Sequence, residues 1–185
     1  VAEVNSLNVF PVPDGETGTN MTLTMRAAIK EVGEREFTSA AELARVLAYG
    51  ALMGARGNSG VILSQILRGF ARGLDAREVV EATDLAEALR QGSVTAYKGV
   101  MKPVEGMMLT VIREASDAAV RAAEAGHGIG DVLESATNEA RASLARTPSL
   151  LPVLAAAGVV DAGGQGLVYV LEGMRRHLRG EVTDV

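Results

Sequence analysis

The chain has 185 residues, 48% of them apolar, a formal net charge of −5, no cysteine, no tryptophan and only 3% aromatic residues. That length and apolar content suit one domain over residues 1–185 with a sizeable core, and the scarcity of aromatics points to close-packed helices of Ala, Leu, Val, Ile and Met. Interleaved acids and bases with no basic run argue against nucleic-acid binding; no apolar stretch of about 20 residues is present to span a membrane; disulfides, thiolate metal sites and cysteine nucleophiles are excluded.

Apolar positions recur at three and four residues with no sustained alternation, so the expected fold class is all-α, a bundle or barrel of about eight antiparallel helices. Spacing predicts helices over 1–7, 18–32, 39–53, 59–74, 84–101, 106–125, 129–145 and 165–179, with a short additional helix over 149–157 limited by Pro148 and Pro152. The chain opens at Val1 without an initiator methionine and with helical spacing already at Val1, Val4 and Leu7. It is therefore expected to be a trimmed N-terminal part of a longer protein, with 180–185 as the start of a linker.

The segment between the first two helices carries the most chemistry. Pro11 and Pro13 stiffen the approach to Asp14, and Gly15 permits a turn that brings the Asp14 and Glu16 carboxylates to one side, a hard-oxygen set suited to Mg²⁺ bridging phosphates. Gly18 leaves room for a phosphate, and the helix from Thr19 onward offers first-turn amides to it. The bland alternative is an ordinary turn with Thr17 or Thr19 capping the helix.

Three later glycine-rich loops also precede apolar helices. Asn58, Ser59 and Gly60 form a second candidate phosphate cradle, or else a plain helix cap. In the Lys102–Thr110 segment Gly106 admits a ligand and Met107 and Met108 cover a flat base, although methionine at helical spacing is more often core. Finally, Asp161, Ala162, Gly163 and Gly164 can accept a phosphate or a ribose, or serve tight packing. His127 and His177 stand in contexts that assign them no role.

The strings Leu7–Met21, Ala55–Gln65, Pro103–Gly106 and Val160–Gly166, in this order, resemble the nucleotide-binding domain of the bacterial fatty acid kinases. That domain belongs to the DhaL-like group, named after the L subunit of dihydroxyacetone kinase. The resemblance covers essentially the whole chain. It implies a barrel of eight antiparallel helices whose loops at one end bind ATP or ADP through two Mg²⁺ ions; the lack of a membrane-length apolar stretch and of a signal-peptide pattern sets the expectation of a cytoplasmic protein. Three aspartates hold the metals in dihydroxyacetone kinases; the matching positions are Asn8, Asp14 and Glu16. Asn8 is like the fatty acid kinases, whereas Glu16 stands where they usually carry Asp. The resemblance places Thr17, Gly18, Thr19 and Asn20, then Asn58, Ser59 and Gly60, at the phosphates; Gly106, Met107, Met108 and Thr110 at the adenine or ribose; and Asp161, Ala162 and Gly163 in a closing loop.

The implied reaction is phosphoryl transfer from ATP to the carboxylate of a fatty acid held by a separate acyl-binding protein. The domain alone binds nucleotide without necessarily turning over. The alternatives are a dihydroxyacetone kinase-type phosphotransfer subunit and a non-catalytic scaffold domain. Homodimer assembly, through this chain or further domains, stays open.

Overall fold

A computed structural model describes residues 1–181; the expected linker runs into 182–185, outside the described residues. Nine helices and no strand occupy the described residues. They are α1 (Ala2–Ser6), α2 (Thr17–Val32), α3 (Ala40–Met53), α4 (Gly57–Gly73), α5 (Ala82–Gly99), α6 (Met108–Glu124), α7 (Ile129–Leu150), α8 (Pro152–Ala157) and α9 (Ala162–Leu178). From α2 to α7 each helix packs on the next, α9 follows α7, and α9 touches α2, so seven long helices close a ring. The five-residue α1 lies against α2 and α9, and α8 leans on α7.

Capping starts several of these helices. The Ser39 side chain accepts from the Glu42 amide at the head of α3 (3.1 Å), and Glu81 and Asp84 make a reciprocal capping box at the head of α5. The interior is aliphatic and small: Leu63 and Ile66 of α4, Leu85 and Leu89 of α5, Val111 and Ile112 of α6, Val132 and Leu133 of α7, and Leu167 and Leu171 of α9 form one continuous core. Close approach sets the α4–α5 pair. Gly69 and Gly73 face the backbone of Gln91 and Ala88, where any side chain would collide.

Several boundaries differ from the sequence reading by two or more residues, α5, α6 and α8 among them, and three have a clear local reason. Helix α7 runs five residues beyond the expected end at 145, straight through Pro148. The Leu144 carbonyl, four residues before Pro148 and deprived of its backbone donor, instead accepts from the Thr147 hydroxyl at 2.7 Å. Helix α4 starts at Gly57, with Arg56 at the N-cap position, so Asn58 and Ser59 lie inside the first turn and neither is the cap. Helix α9 starts at Ala162 because Asp161 caps it, its carboxylate accepting from Gly164 N at 2.6 Å; the diglycine is helical rather than a preceding loop.

Among the described residues no helix is long and apolar enough to cross a membrane.

Candidate functional site

The heads of α2, α4, α6 and α9 open onto one cavity of about 390 Å³ at one end of the ring. Helix α2 contributes Thr17 and Asn20, α4 Gly57, Asn58 and Ser59, α6 Met108 with its preceding Met107, and α9 Gly163 with its cap Asp161. The loop before α2 adds Asn8 and Asp14. Four helix N-termini converge on the hollow with their partial positive charge, and although the Thr19, Met108 and Gly164 amides are already held by the Asn5 and Asp161 side chains, the rest of the first turns suits an anion such as a phosphate chain.

The α1–α2 loop is ordered by its own polar groups. Asn8, 8% exposed, donates from Nδ2 to Asp14 Oδ1 at 2.7 Å and to the Val12 carbonyl at 3.2 Å, while the Glu16 amide donates to the same Asp14 oxygen at 3.1 Å. Gly15, at φ +68°, supplies the left-handed turn between the two acids. Asp14 itself is exposed, and with those contacts on Oδ1 its second oxygen is the one offered to a cation. Phe10 and Pro11 are joined by a cis peptide, and both line the cavity with Val12.

Ten of the sequence-expected site residues line the cavity: Asn8, Asp14, Thr17, Asn20, Asn58, Ser59, Met107, Met108, Asp161 and Gly163. Seven lie behind or beside it. Glu16 is exposed, at the N-cap position of α2, with no side-chain capping bond. Gly18 holds no space for a phosphate, because a Cβ there would stand 2.6 Å from the Val1 carbonyl and 2.9 Å from Val4 Cβ; α1 fills that room. Thr19 turns to the same helix, its amide donating to Asn5 Oδ1 (3.1 Å) and its hydroxyl accepting from Asn5 Nδ2 (3.0 Å).

Gly60 faces the Thr24 hydroxyl, which also accepts from Arg56 N at 3.1 Å and so ties α2 to the head of α4. Gly106, at φ +84°, is pressed against Leu150, Leu151 and the Thr147 carbonyl at the end of α7. Thr110, fully buried, accepts from Gly106 N (2.9 Å) and donates to Glu105 (2.8 Å). Ala162 is buried in the first turn of α9. These residues shape the wall from behind. Met108, 3% exposed, belongs to the core and also reaches the cavity lining.

Sequence reading missed an apolar half of the lining, Phe10, Ile62, Val100, Val104 and Leu109, and one cation, Lys102. Val100, Lys102 and Val104 belong to the α5–α6 connection, whose place at this end follows from α5 running antiparallel to its neighbours. The signal available in the sequence was the string Lys102–Glu105 just ahead of Gly106. Glu105 anchors that connection by accepting from Tyr97 Oη, Thr110 and both terminal nitrogens of Arg113.

Asp161 is 4% exposed, and burial pushes its carboxyl up to about 6, against the opposing pull of the Gly164 and Met108 amides. Its own amide donates to Thr147 Oγ1 at 3.1 Å. Thr147 therefore bridges the interrupted end of α7 and the head of α9.

Among the described residues no three His, Cys, Asp or Glu side chains gather as a metal cage. The Asp161 carboxylate in the lining is engaged in capping α9, and the donors of the α1–α2 loop, the Asp14 carboxylate and the Asn8 amide oxygen, are hard and few. They fit a Mg²⁺ that keeps waters and takes further oxygens from a phosphate ligand, and do not fit a closed structural zinc site.

A family model described as the DAK2 domain matches residues 11–176. Similar proteins include an uncharacterized protein of Staphylococcus saprophyticus, 50% identical over 181 residues that cover 98% of this chain and 33% of that protein. Protein YloV of Bacillus subtilis is 50% identical over 180 residues, 97% of this chain and 32% of its own length. An uncharacterized protein of Staphylococcus haemolyticus is 49% identical over 181 residues, 98% of this chain and 33% of its own. The chain thus spans about a third of the length of the curated relatives it matches.

Proposed function

Because this chain belongs to the DAK2 domain family, a family associated with kinase phosphotransfer and nucleotide binding, we propose that it is the ATP-binding domain of a phosphotransferase acting on a fatty acid carboxylate. The observation that carries the reading is the convergence of four helix N-termini, with Asp14 and Asn8, on one cavity. Thr17, Asn20, Asn58 and Ser59 surround the phosphates, and the apolar half, with Met107 and Met108, covers the base. Asp14 and Asn8 would hold Mg²⁺, with Glu16 within reach across the Gly15 turn; the ion supplies charge neutralisation on the phosphates.

In the reaction an acceptor carboxylate oxygen bonds to the γ-phosphorus, the bond from that phosphorus to the β,γ-bridging oxygen breaks, and ADP leaves with that electron pair. The product is an acyl phosphate. A carboxylate is already ionised at neutral pH, so the domain need not supply a strong base; positioning and electrostatics are its share. A cavity of about 390 Å³ is filled by one nucleotide-sized ligand, and the bulk of the acyl chain is held by a separate acyl-binding protein.

A dihydroxyacetone kinase-type role is the second reading, favoured by the family match and disfavoured by Asn8 at the first metal position. Calorimetric titration with a non-hydrolysable ATP analogue tests the common core of both. Binding should require Mg²⁺ and should drop at least tenfold in Asp14→Ala, and Asp14→Asn, which keeps an acceptor for the Asn8 and Glu16 donors, should lose the Mg²⁺ dependence with the loop still ordered. A folded chain that binds no analogue would instead be a scaffold, or a site completed only by segments outside this chain.

A further inference from the structure

A second groove opens off the candidate site. It has a volume of about 460 Å³ and runs between α4 and the C-terminal end of α5. Four residues, Asn58, Ile62, Val100 and Lys102, line both hollows, so the groove leaves the cavity where Asn58, at the phosphates in the reading above, meets the apolar wall of Ile62 and Val100. Its own wall adds Val61 and Met101, which are 46% and 100% exposed, with Gln65 and Gly99 between them.

The charge in this groove is one-sided. Its lining holds a single cation, Lys102, and no carboxylate. None of the ion pairs among the described residues involves Lys102. An isolated exposed lysine is ordinarily just solvated, and a single exposed valine or methionine is equally ordinary. Here the ammonium stands at the seam of two hollows, and the exposed apolar side chains continue the apolar surface of Ile62 and Val100. That combination recognises an anion with an aliphatic body. A small neutral polyol would use neither the cation nor the apolar wall.

We infer that this groove is the acceptor subsite, in which Lys102 holds an anionic head beside the phosphates while Val61, Val100 and Met101 cover the aliphatic carbons next to it. The inference rests on the phosphotransfer reading above. Its ligand class is an aliphatic carboxylate, either free or presented by a carrier with its first carbons protruding. Lys102 is a specificity-determining residue, since it selects a charged head over a neutral one.

Methyl- and amide-detected NMR titration of the chain with octanoate, and with 1-octanol as the uncharged control, tests this. Octanoate should shift the Val61, Val100 and Met101 methyl groups saturably, with a dissociation constant on the order of millimolar. Octanol should bind at least fivefold more weakly. Lys102→Gln should remove that difference and Lys102→Arg should keep it; the position is exposed, and the amide spectrum verifies the fold. No saturable shift in the groove, equal binding of octanol, or an unaffected Lys102→Gln would overturn the inference.

A length series from acetate to dodecanoate separates the two sources. Affinity that stops growing after about four to six carbons marks a groove for the head of a carried chain, whereas growth through dodecanoate marks a site for the whole free acid. Titrating the same sample with the Mg²⁺-loaded ATP analogue keeps the two failures apart. Octanoate binding without analogue binding overturns the phosphotransfer reading, and with it the acceptor role; analogue binding without octanoate binding overturns the acceptor subsite alone.

Discussion

The two walls of the cavity are built by opposite strategies. On the α6–α9 side the polar groups are buried and already paired: Thr110 ties Gly106 to Glu105, and Thr147 ties Leu144 to Asp161, which in turn caps α9. On the α1–α2 side Pro11, Val12, Pro13 and Asp14 are exposed, and the loop is held chiefly by Asn8 on Asp14. Satisfied buried groups make a fixed surface with little left to offer a ligand, while the exposed loop keeps its carboxylate oxygen for one. Rigidity therefore resides in one wall and ligand charge in the other.

Substitutions in the buried wall should cost stability first. Gly106→Ala combines a left-handed backbone with a Cβ placed 2.9 Å from Leu150 Cβ and 3.1 Å from the Thr147 carbonyl. We expect a loss of about 3 kcal/mol in urea unfolding, the sum of backbone strain and overpacking. A loss below about 1 kcal/mol would mean that the α7 end yields easily and the wall is not fixed. Thr147→Val keeps the shape but leaves the Asp161 amide and the Leu144 carbonyl without their partner. It should cost about 2 kcal/mol, and Thr147→Ser should recover most of it.

Asp161 tests the same wall through pH. Its carboxyl is pushed up to about 6 from 3.8 by burial, so between about pH 4 and 6 the folded state binds more protons than the unfolded state. The residue's contribution to stability therefore falls as pH rises through that window, and the loss is complete above it. Asp161→Asn keeps an N-cap acceptor and removes the titration. Its stability relative to the parent should rise from pH 4 to pH 7 by on the order of 1 kcal/mol for each unit between 3.8 and about 6, because only the parent titrates there. A pH-independent difference in unfolding midpoints would show that Asp161 is not the group titrating there.

Much of this arrangement was legible in the sequence. Three- and four-residue apolar spacing gave all the long helices, because each buries one stripe against two ring neighbours. Glycine-rich strings marked the four helix heads. What the glycines do was less readable: Gly18, Gly60 and Gly106 leave space for α1, Thr24 and the α7 end, since a missing Cβ signals close approach without naming what approaches. Pro148 misplaced the end of α7, because the compensating Thr147–Leu144 bond depends on a rotamer rather than on a pattern. Lys102 entered the lining through chain direction, a tertiary fact that its place just ahead of Gly106 only hinted at.

The smallest expected effect sharpens the comparison most, because it lies on the open wall at the one position where chemistry and helix capping coincide. Glu16 occupies the N-cap position of α2 without a capping bond, its carboxylate exposed. Shortening it in Glu16→Asp gives α2 a better N-cap acceptor, worth about 0.5 kcal/mol, and also draws the carboxylate closer to Asp14 across Gly15. The two consequences separate cleanly, since capping acts without metal and ligation does not. Urea unfolding in EDTA should show the small gain alone, and Mg²⁺ titration of the analogue complex should show about a twofold to threefold tighter response. A stability gain with unchanged Mg²⁺ dependence would reduce Glu16 to a helix terminus and leave Asp14 and Asn8 as the whole of the chain's cation set.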